Sequence, residues 1–453
     1  MKKTILLTLT ALSCAMTPVS AVPYGEMYGE NNEPVQLTLA QSIEMALATD
    51  ERIEAAQAGR DAAKWSLSAT RRSTGPSVTW NSQAYRIGGE NYRLSGFRST
   101  FANSWNLTVP LYTGGQLENQ QEAKSYALNR ADMTLENTRQ TVRFQAAEAY
   151  ANLVHRVNLE RIAQKAVDMG GAQLKLINDQ YTEGAVAKAD VLLMQVRLAN
   201  YQQNLNSAQA ALEVAESTLA SKLGLPQNTD IEAVDVFSYE PYEKDLPACE
   251  AYALAHRPDG KAAELAVKSA EAEKDAAKSG YRPRVNGVAG KSITGTKAFQ
   301  NERSDSWEAG ITLSWNIFDN GVTAAKVQQA KADVNQYQAE ANRIKKTIQL
   351  ETRSAYIQMK TAEDNIKAAA AAVKQAEESY TIAQVRYEEG VDILLSVADA
   401  QEKLTQARSN YSTALYQYNL YRATLEKAMG IPVIRSDKER NQPESIQAKE
   451  EHT

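Results

Sequence analysis

The chain has 453 residues, with 50 lysines and arginines against 55 aspartates and glutamates, a net charge of −5. This acidic balance argues against nucleic acid as a partner, because phosphate binding needs a basic surface. The three histidines, His155, His256 and His452, have no metal-ligand spacing, and no phosphate-binding loop or nucleophile motif occurs. We therefore expect no enzyme activity, no cofactor and no metal site.

The N-terminus has the features of a secretory signal peptide. Lys2 and Lys3 precede an apolar stretch, and the small residues that end at Ala21 fit a cleavage site. Cleavage after Ala21 removes two lysines and no acid, so the mature charge becomes 48 − 55 = −7. Segment 1–21 is therefore predicted to be a signal peptide that directs export.

The two cysteines limit the covalent chemistry of the exported chain. Cys14 lies inside the predicted signal peptide, in a weak match to a lipoprotein cleavage box, which leaves acylation open. The mature chain would keep Cys249 alone, so an intrachain disulfide is excluded. No other segment is long and apolar enough to predict a transmembrane helix.

The rest of the chain contains two repeats of one sequence unit. The segment 181–184 (YTEG) recurs at 387–390 (YEEG), an offset of 206. Earlier in each half, Ala46-Leu47 matches Ala253-Leu254 at an offset of 207. A period this long indicates a duplicated domain rather than a solenoid. The predicted organisation is a first unit at 22–226, a linker at 227–245, a second unit at 246–432 and a polar, disordered tail at 433–453.

Each unit is predicted to contain a short helical region, two strands, a long helix, a turn and a return helix. The first unit has a helix at about 38–73, strands at about 77–87 and 100–112, a long helix at 115–181 and a return helix at 186–223. The second unit has helices at about 246–279 broken near Pro258, strands at about 283–292 and 306–318, a long helix at 321–387 and a return helix at 392–429.

The strands have two chemically different faces. Odd positions of 101–111 are mainly apolar and even positions are mainly small or polar, and 311–317 repeats this alternation. Strands of about ten residues with this period suit a tilted transmembrane β-strand. A small soluble hairpin packed on a helix would show the same alternation, so the strands alone leave both possibilities open.

The helices give a stronger signal. Val191 and Val397 each begin five uninterrupted heptads whose seam residues are mainly apolar or small, with Lys222 at the last seam position of the first copy, the pattern of a coiled coil. The long helices contain no proline over about 65 residues, which corresponds to roughly 100 Å. Because the return helices are half as long, we expect the short first helix of each unit to stack on the end of the return helix.

If the four predicted strands enter a membrane, the chain must form an oligomer. Open sheet edges leave backbone groups unpaired in lipid, and four strands cannot close a barrel. Two copies would give an eight-stranded barrel filled by side chains, whereas three copies would give twelve strands and twelve helical columns. We therefore predict a homo-oligomer, with three copies as the simplest closure.

Several segments resemble the repeated signature of TolC-like outer-membrane efflux proteins. They are 386–390 (RYEEG) with 396–401 (SVADAQ), 253–259 (ALAHRPD) and 111–115 (LYTGG). The resemblance implies a mainly α-helical, internally duplicated fold with a small β part. It further implies a homotrimer with a 12-stranded outer-membrane β-barrel, four strands per protomer. A long periplasmic α-helical barrel, and an equatorial belt that includes the linker, would continue that barrel.

The same resemblance implies a function and partners. The chain would be the outer-membrane exit duct of a tripartite efflux pump or a type I secretion system. It would sit in outer-membrane lipid and work with a periplasmic adaptor and an inner-membrane pump, either resistance-type or an ABC exporter. The alternative is not a transport channel but a structural periplasmic coiled-coil protein without a pore.

The resemblance also implies a closed periplasmic tip. Asp190 and Asp399 match acidic positions that narrow the entrance, and Tyr387 matches an aromatic residue of the gate. Asp392 stands where a basic residue is common, so we predict a charge-reversed pair with Lys188, with Tyr387 hydrogen-bonded to Asp190. Solvated helix faces are the alternative for the charged residues.

Two further groups of residues complete the predicted sites. The turns expected to dock the adaptor contain Gly184, Ala185, Val186, Gly390 and Val391, although glycine there is also a simple helix stop. The aromatics expected at the lipid interface are Trp80, Trp105 and Trp315, with burial against the helical belt as the alternative.

Overall fold

A computed structural model describes residues 34–87, 98–295 and 303–431. The predicted signal peptide 1–21, Cys14 and the predicted tail 433–453 lie outside these residues. Within them, the fold is mainly α-helical with a small β part, as the sequence predicts.

The first unit contains four helices and three strands. In chain order they are β1 (Val35–Leu37), α1 (Leu39–Thr49), α2 (Glu51–Arg72), β2 (Ser77–Ile87), β3 (Arg98–Tyr112), α3 (Gln116–Thr182) and α4 (Lys188–Leu223).

The second unit repeats this order after a connecting strand. Its elements are β4 (Ile231–Ala233), α5 (Leu246–His256), α6 (Pro258–Lys278), β5 (Arg284–Gly295), β6 (Arg303–Ser314), α7 (Val322–Glu388) and α8 (Leu394–Ala428).

The two long helices have the same length. Helices α3 and α7 each contain 67 residues, which at 1.5 Å per residue is roughly 100 Å. The return helices α4 and α8 are about half as long, with 36 and 35 residues. The duplication seen in the sequence is therefore a duplication of the fold.

The short helices stack on the return helices. Thr49, the last residue of α1, donates its hydroxyl to the carbonyl of Leu223 at the end of α4, at 3.1 Å. In the second unit, Arg257 donates to the carbonyl of Ala428 at the end of α8, at 3.4 Å. These contacts confirm the predicted stacking of short helices end to end with the return helices.

The first helical region differs from its prediction. Instead of one helix over about 38–73, the structure has α1 and α2, separated at Asp50. Asp50 is extended and its carboxylate accepts a hydrogen bond from the backbone of Arg52 at 2.9 Å, which starts a new helix. An N-cap in the first unit thus makes the break that Pro258 makes in the second.

The heptad seams form the core of both helical pairs. In α8, none of the ten predicted seam residues is exposed, and Val397, Leu404 and Leu425 are at most 3% accessible. In α4, Met194 and Leu219 are equally buried. This burial confirms the coiled-coil prediction, except at Lys222, the last predicted seam position of α4, which is exposed. Helix α3 packs against α4, and α7 packs against α8, while α3 also contacts α8 and joins the two pairs.

Four strands form one antiparallel sheet in the order β2-β3-β5-β6. A second sheet, which the sequence did not predict, pairs β1 with β4 in parallel, with Val35 opposite Ile231. Tyr150 of α3 donates its hydroxyl to the carbonyl of Leu37 at 3.0 Å and holds this small sheet against the long helix.

The last strand both begins and ends earlier than predicted. The expected range was about 306–318, whereas β6 ends at Ser314. Among the described residues, no strand pairs with 315–318. Among all the helices that the structure describes, none has the length and apolar character needed to cross a bilayer.

Neighbouring glycines in α3 provide a matched stability test. A Cβ on Gly170 would lie 2.9 Å from Cδ2 of Tyr201, whereas a Cβ on Gly171 would meet nothing within 4 Å. We expect Gly170→Ala to lower the apparent Tm of the purified protein, because overpacking costs about 1–3 kcal/mol. Gly171→Ala should raise it, since alanine favours a helix by about 1 kcal/mol. Equal shifts of both variants in thermal unfolding would contradict the close contact.

Candidate functional site

The four-stranded sheet has one polar face. Because directly paired residues of antiparallel strands point to the same side, the observed register defines the rows of each face. Two rows that cross all four strands are Thr79–Asn106–Gly290–Glu308 and Asn81–Ser104–Ser292–Ser306. This side of the sheet is suited to contact with water.

The opposite face is mainly apolar. The rows there include Val78–Leu107–Ala289–Ala309 and Val109–Gly287–Ile311. Toward the loop end of the strands this face also carries an ion pair between Lys291 and Asp305, at 3.7 Å. The alternation predicted for β3 and β6 therefore continues into β2 and β5, except in the row Ser82–Asn103–Ile293–Asp305, which is mainly polar.

Tryptophans cluster on the apolar face. Trp80 lies directly opposite Trp105, and the same row continues through Lys291 to Trp307. All three indoles are exposed in the single chain. Trp307 was missed in the sequence, although it stands at an odd position of the same alternating pattern as Ile311.

Trp315 occupies a different place. It follows the end of β6, and its indole nitrogen donates to the carbonyl of Tyr281 at 3.1 Å. Its side chain is also exposed. Trp315 therefore lies at the junction of the sheet with the helices, whereas Trp80 and Trp105 lie within the sheet.

The two helical turns at the far end of the long helices have the same geometry. Gly184 and Gly390 have φ values of 74° and 71°, in the left-handed region that favours glycine. The amides of Ala185 and Val391 donate back to Gln180 and Arg386 at 2.8 and 2.9 Å. Both turns thus end their helix with a hydrogen-bonded reversal that exposes the next residues.

A small apolar cluster holds the two turns together. Its buried members come from both hairpins, and Val186 and Tyr387 pack against it; they are Ile177, Val191, Met194, Leu394 and Ala398. The residues predicted as docking turns and gate are thereby brought into one tip, with Val391 exposed at its surface.

Tyr387 links the hairpins through a partner other than the predicted one. Its hydroxyl donates to the side-chain oxygen of Gln180 at 3.0 Å. Asp190 instead accepts from the backbone of Ala187 at 3.3 Å, as an N-terminal cap of α4. Burial, with a smaller effect of the nearby Asp190 charge, raises the pKa of Tyr387.

Asp392 also finds partners within its own hairpin. It accepts from the hydroxyl of Ser396 at 2.7 Å and lies 3.6 Å from Nε of Arg386. The hydrogen bond from Ser396 is the main cause that lowers the pKa of Asp392. Lys188 is exposed, and it has no ion-pair partner in the part of the chain that the structure describes. The Lys188–Asp392 pair stays a prediction.

An arginine joins the two hairpins close to the tip. Arg197 of α4 donates to Asp399 of α8 at 2.9 Å and also binds Glu402. Only 23% of the Arg197 side chain is accessible. Neither Arg197 nor Glu402 was predicted, although Arg197 occupies a g position beside the seam, where charged residues commonly bridge helices. The predicted acidic position Asp399 therefore faces an arginine of its own chain.

The chain is open along two edges. Strands β2 and β6 are the outer strands of the sheet. At the end of the helices nearest the sheet, α2 packs against α3, α3 against α6, and α6 against α7. Toward the tip, α4 packs against α3, α3 against α8, and α8 against α7. One edge is thus formed throughout by first-unit elements and the other by second-unit elements.

Comparison with known proteins identifies the family. The family model described as outer membrane efflux protein matches residues 42–225 and 251–431. These two matches cover the two units of the fold.

Individual relatives and a solved structure agree with this match. The chain is 22% identical to nodulation protein T of Rhizobium leguminosarum bv. trifolii over 87% of this chain and 84% of that protein. It is 23% identical to the alkaline protease secretion protein AprF of Pseudomonas aeruginosa over 70% of this chain and 67% of that protein.

The crystal structure of the outer membrane protein VceC from Vibrio cholerae has the same fold. It aligns with a TM-score of 0.76 at 19% identity, over 87% of this chain and 97% of that one. Together with the match of the family model to both units, these comparisons show that the chain belongs to the outer membrane efflux protein family.

Proposed function

We propose that this protein is the outer-membrane exit duct of a tripartite efflux pump or a type I secretion system. The observation that carries the proposal is a four-stranded sheet with one apolar and one polar face, continuous with helices of 67 residues. The apolar face would meet lipid and the polar face would line the lumen. A small soluble hairpin would bury its apolar face against a helix, whereas Val78, Trp80 and Trp307 are exposed in the single chain.

The open edges support assembly into a ring. A β2 edge and a β6 edge cannot remain unpaired in lipid, so each copy needs neighbours on both sides. We propose a homotrimer, in which twelve strands enclose a lumen wider than that of an eight-stranded barrel. The duct itself would have no catalytic role.

The partners follow from the direction of transport. A duct in the outer membrane needs a periplasmic adaptor and an inner-membrane pump to supply substrate and energy. The adaptor would dock at the exposed turns, Gly184, Ala185, Val186, Gly390 and Val391. A resistance-type pump and an ABC exporter both suit such a duct, and the relative AprF is itself named for protease secretion.

The gate would lie at the same tip. Asp190 and Asp399 are proposed to face the narrow entrance in three copies, with Tyr387 and the apolar cluster holding the hairpins closed. Arg197 balances one of the two carboxylates beside it, so each copy contributes a local charge of −1 from Arg197, Asp399 and Glu402. The Lys188–Asp392 pair would add a contact between hairpins.

The first prediction concerns location and assembly. The protein should fractionate with the outer membrane, require detergent for extraction, and run as a trimer in light scattering or crosslinking. Release by osmotic shock alone, or crosslinking that stops at a monomer, would contradict the proposed duct.

The second prediction concerns Arg197. Arg197→Gln should increase the block of trimer conductance by divalent cations added on the periplasmic side several-fold, because it leaves two carboxylates per copy without a counter-charge. The measurement is single-channel recording in planar bilayers. Lys403→Gln is the matched control, since Lys403 is exposed and occupies the position that duplicates Arg197.

The outcome separates local charge from net charge. If Lys403→Gln increases the block as much as Arg197→Gln, the bridge to Asp399 and Glu402 has no special role at the entrance. If the block survives in the double variant Asp190→Ala/Asp399→Ala, the acidic entrance lies elsewhere.

A further inference from the structure

We propose that β6 pairs with β2 of the neighbouring copy in one defined register, with Ser314 opposite Asn81 and Trp315 opposite Trp80. The proposal rests on the proposed ring of copies and names the strand contacts that close it. It follows from the internal duplication, because the chain already contains one junction of the same kind, between β3 and β5.

The two hairpins, β2–β3 and β5–β6, have the same strand register once the duplication offsets are applied. In the first unit Ser77 lies opposite Thr108, and in the second Arg284 lies opposite Ser314. Moving β2 by 207 positions takes residue 77 to 284, and moving β3 by 206 positions takes residue 108 to 314. These are the same two offsets that relate the repeated sequence segments.

The observed strand pairing between the two units can then be used to predict the strand pairing between two copies. Strand β3 of the first unit pairs with β5 of the second, with Thr108 opposite Val288. The same offsets convert Thr108 into Ser314 and Val288 into Asn81. The neighbouring pair, Val109 opposite Gly287, becomes Trp315 opposite Trp80.

The transferred register keeps the two faces of the sheet continuous. On the polar side, Ser314 meets Asn81 and Thr312 meets Gln83, whereas Trp315 meets Trp80 on the apolar side. A slip of one residue would place residues from the polar face of β6 opposite residues from the apolar face of β2. This continuity follows from the observed registers within the two hairpins and between β3 and β5.

The side chains that would meet are exposed apolar groups in the single chain. On β2, Val78 and Trp80 are 70% and 59% accessible. Beyond β6, Trp315, Ile317 and Phe318 are 54%, 83% and 87% accessible. Apolar groups at both edges, at matching heights, would continue the apolar face across the contact between copies.

The register also explains why β6 ends at Ser314. The residues of β3 that correspond to 315–318 are 109–112, and these are strand because they pair with β5 near Asn286 and Val285. The equivalent partner of 315–318 is the start of β2 in the neighbouring copy, at about 78–80. The predicted strand to 318 would therefore form only in the assembled ring.

Strand direction permits this closure. All neighbouring strands of the sheet are antiparallel, so an even number of strands leaves β6 running opposite to β2 of the next copy. Within one chain the two edges are separated by three strand spacings, about 14 Å. A disulfide between them is therefore possible only across copies, because its Cα atoms must lie within about 7 Å.

Cysteine crosslinking tests the register in the full-length protein in its membrane. The matched pairs are Ser314→Cys with Asn81→Cys, and Leu313→Cys with Ser82→Cys; adjacent positions alternate between the two kinds of antiparallel pair. After mild oxidation, we expect at least one pair to give covalent dimers and trimers on non-reducing gels.

The controls shift one partner by two residues, which adds roughly 7 Å while preserving the face. Ser314→Cys combined with Thr79→Cys or with Gln83→Cys should crosslink at least tenfold more slowly than the matched pairs. The single variants and the unaltered chain, whose Cys249 is buried, should show no ladder.

Each outcome has one interpretation. A ladder in the matched pairs alone supports the register. A faster ladder in a shifted pair, or no ladder in any pair while the protein is a trimer by light scattering, overturns it and leaves the duct proposal standing. A monomer by light scattering would instead remove the proposed assembly itself.

Discussion

The structure depends on one constraint, which is that backbone hydrogen-bonding groups must be paired where water is absent. The sheet satisfies this requirement between its four strands and leaves it unsatisfied at β2 and β6. Each edge can be completed by the other edge of an identical chain, since both belong to the same duplicated element. A gene duplication that joined two units thus also fixed the chemistry by which whole chains would join.

The helices extend the same arrangement away from the membrane. Short helices stacked on return helices give each unit two columns of comparable length, and α3 contacts both its own return helix and α8 of the second unit. Helices α2 and α4 lie on the same edge of the chain as β2, and α7 lies on the same edge as β6. Near the tip, the apolar cluster around Ile177 and the Arg197 bridge hold the two hairpins together.

Much of this fold could be predicted from the sequence because its signals are local and repeated. Heptads located the buried seam, alternation located the faces of β3 and β6, and the offsets of 206 and 207 gave the duplication. The break at Asp50 was missed because an aspartate cap is a weaker signal than the proline of the second unit. The small β1–β4 sheet joins residues almost 200 positions apart, which no local pattern reveals.

The tip was less predictable for a related reason. Which carboxylate meets which cation depends on the relative rotation of two hairpins, so the sequence did not reveal that Arg197 is the partner of Asp399. The end of β6 shows the opposite case. The sequence pattern continues to 318, and the single chain stops at Ser314 because the pairing partner belongs to another copy.

Hydrogen exchange of the backbone amides tests the closed ring most directly. In the detergent-extracted oligomer, the amides of β2 and β6, and those of Trp315, Asn316, Ile317 and Phe318, should be protected as strongly as those of the inner strands β3 and β5. Fast exchange confined to β2, β6 and 315–318, with protected β3 and β5, would show that the sheet edges remain open and would contradict the closed duct.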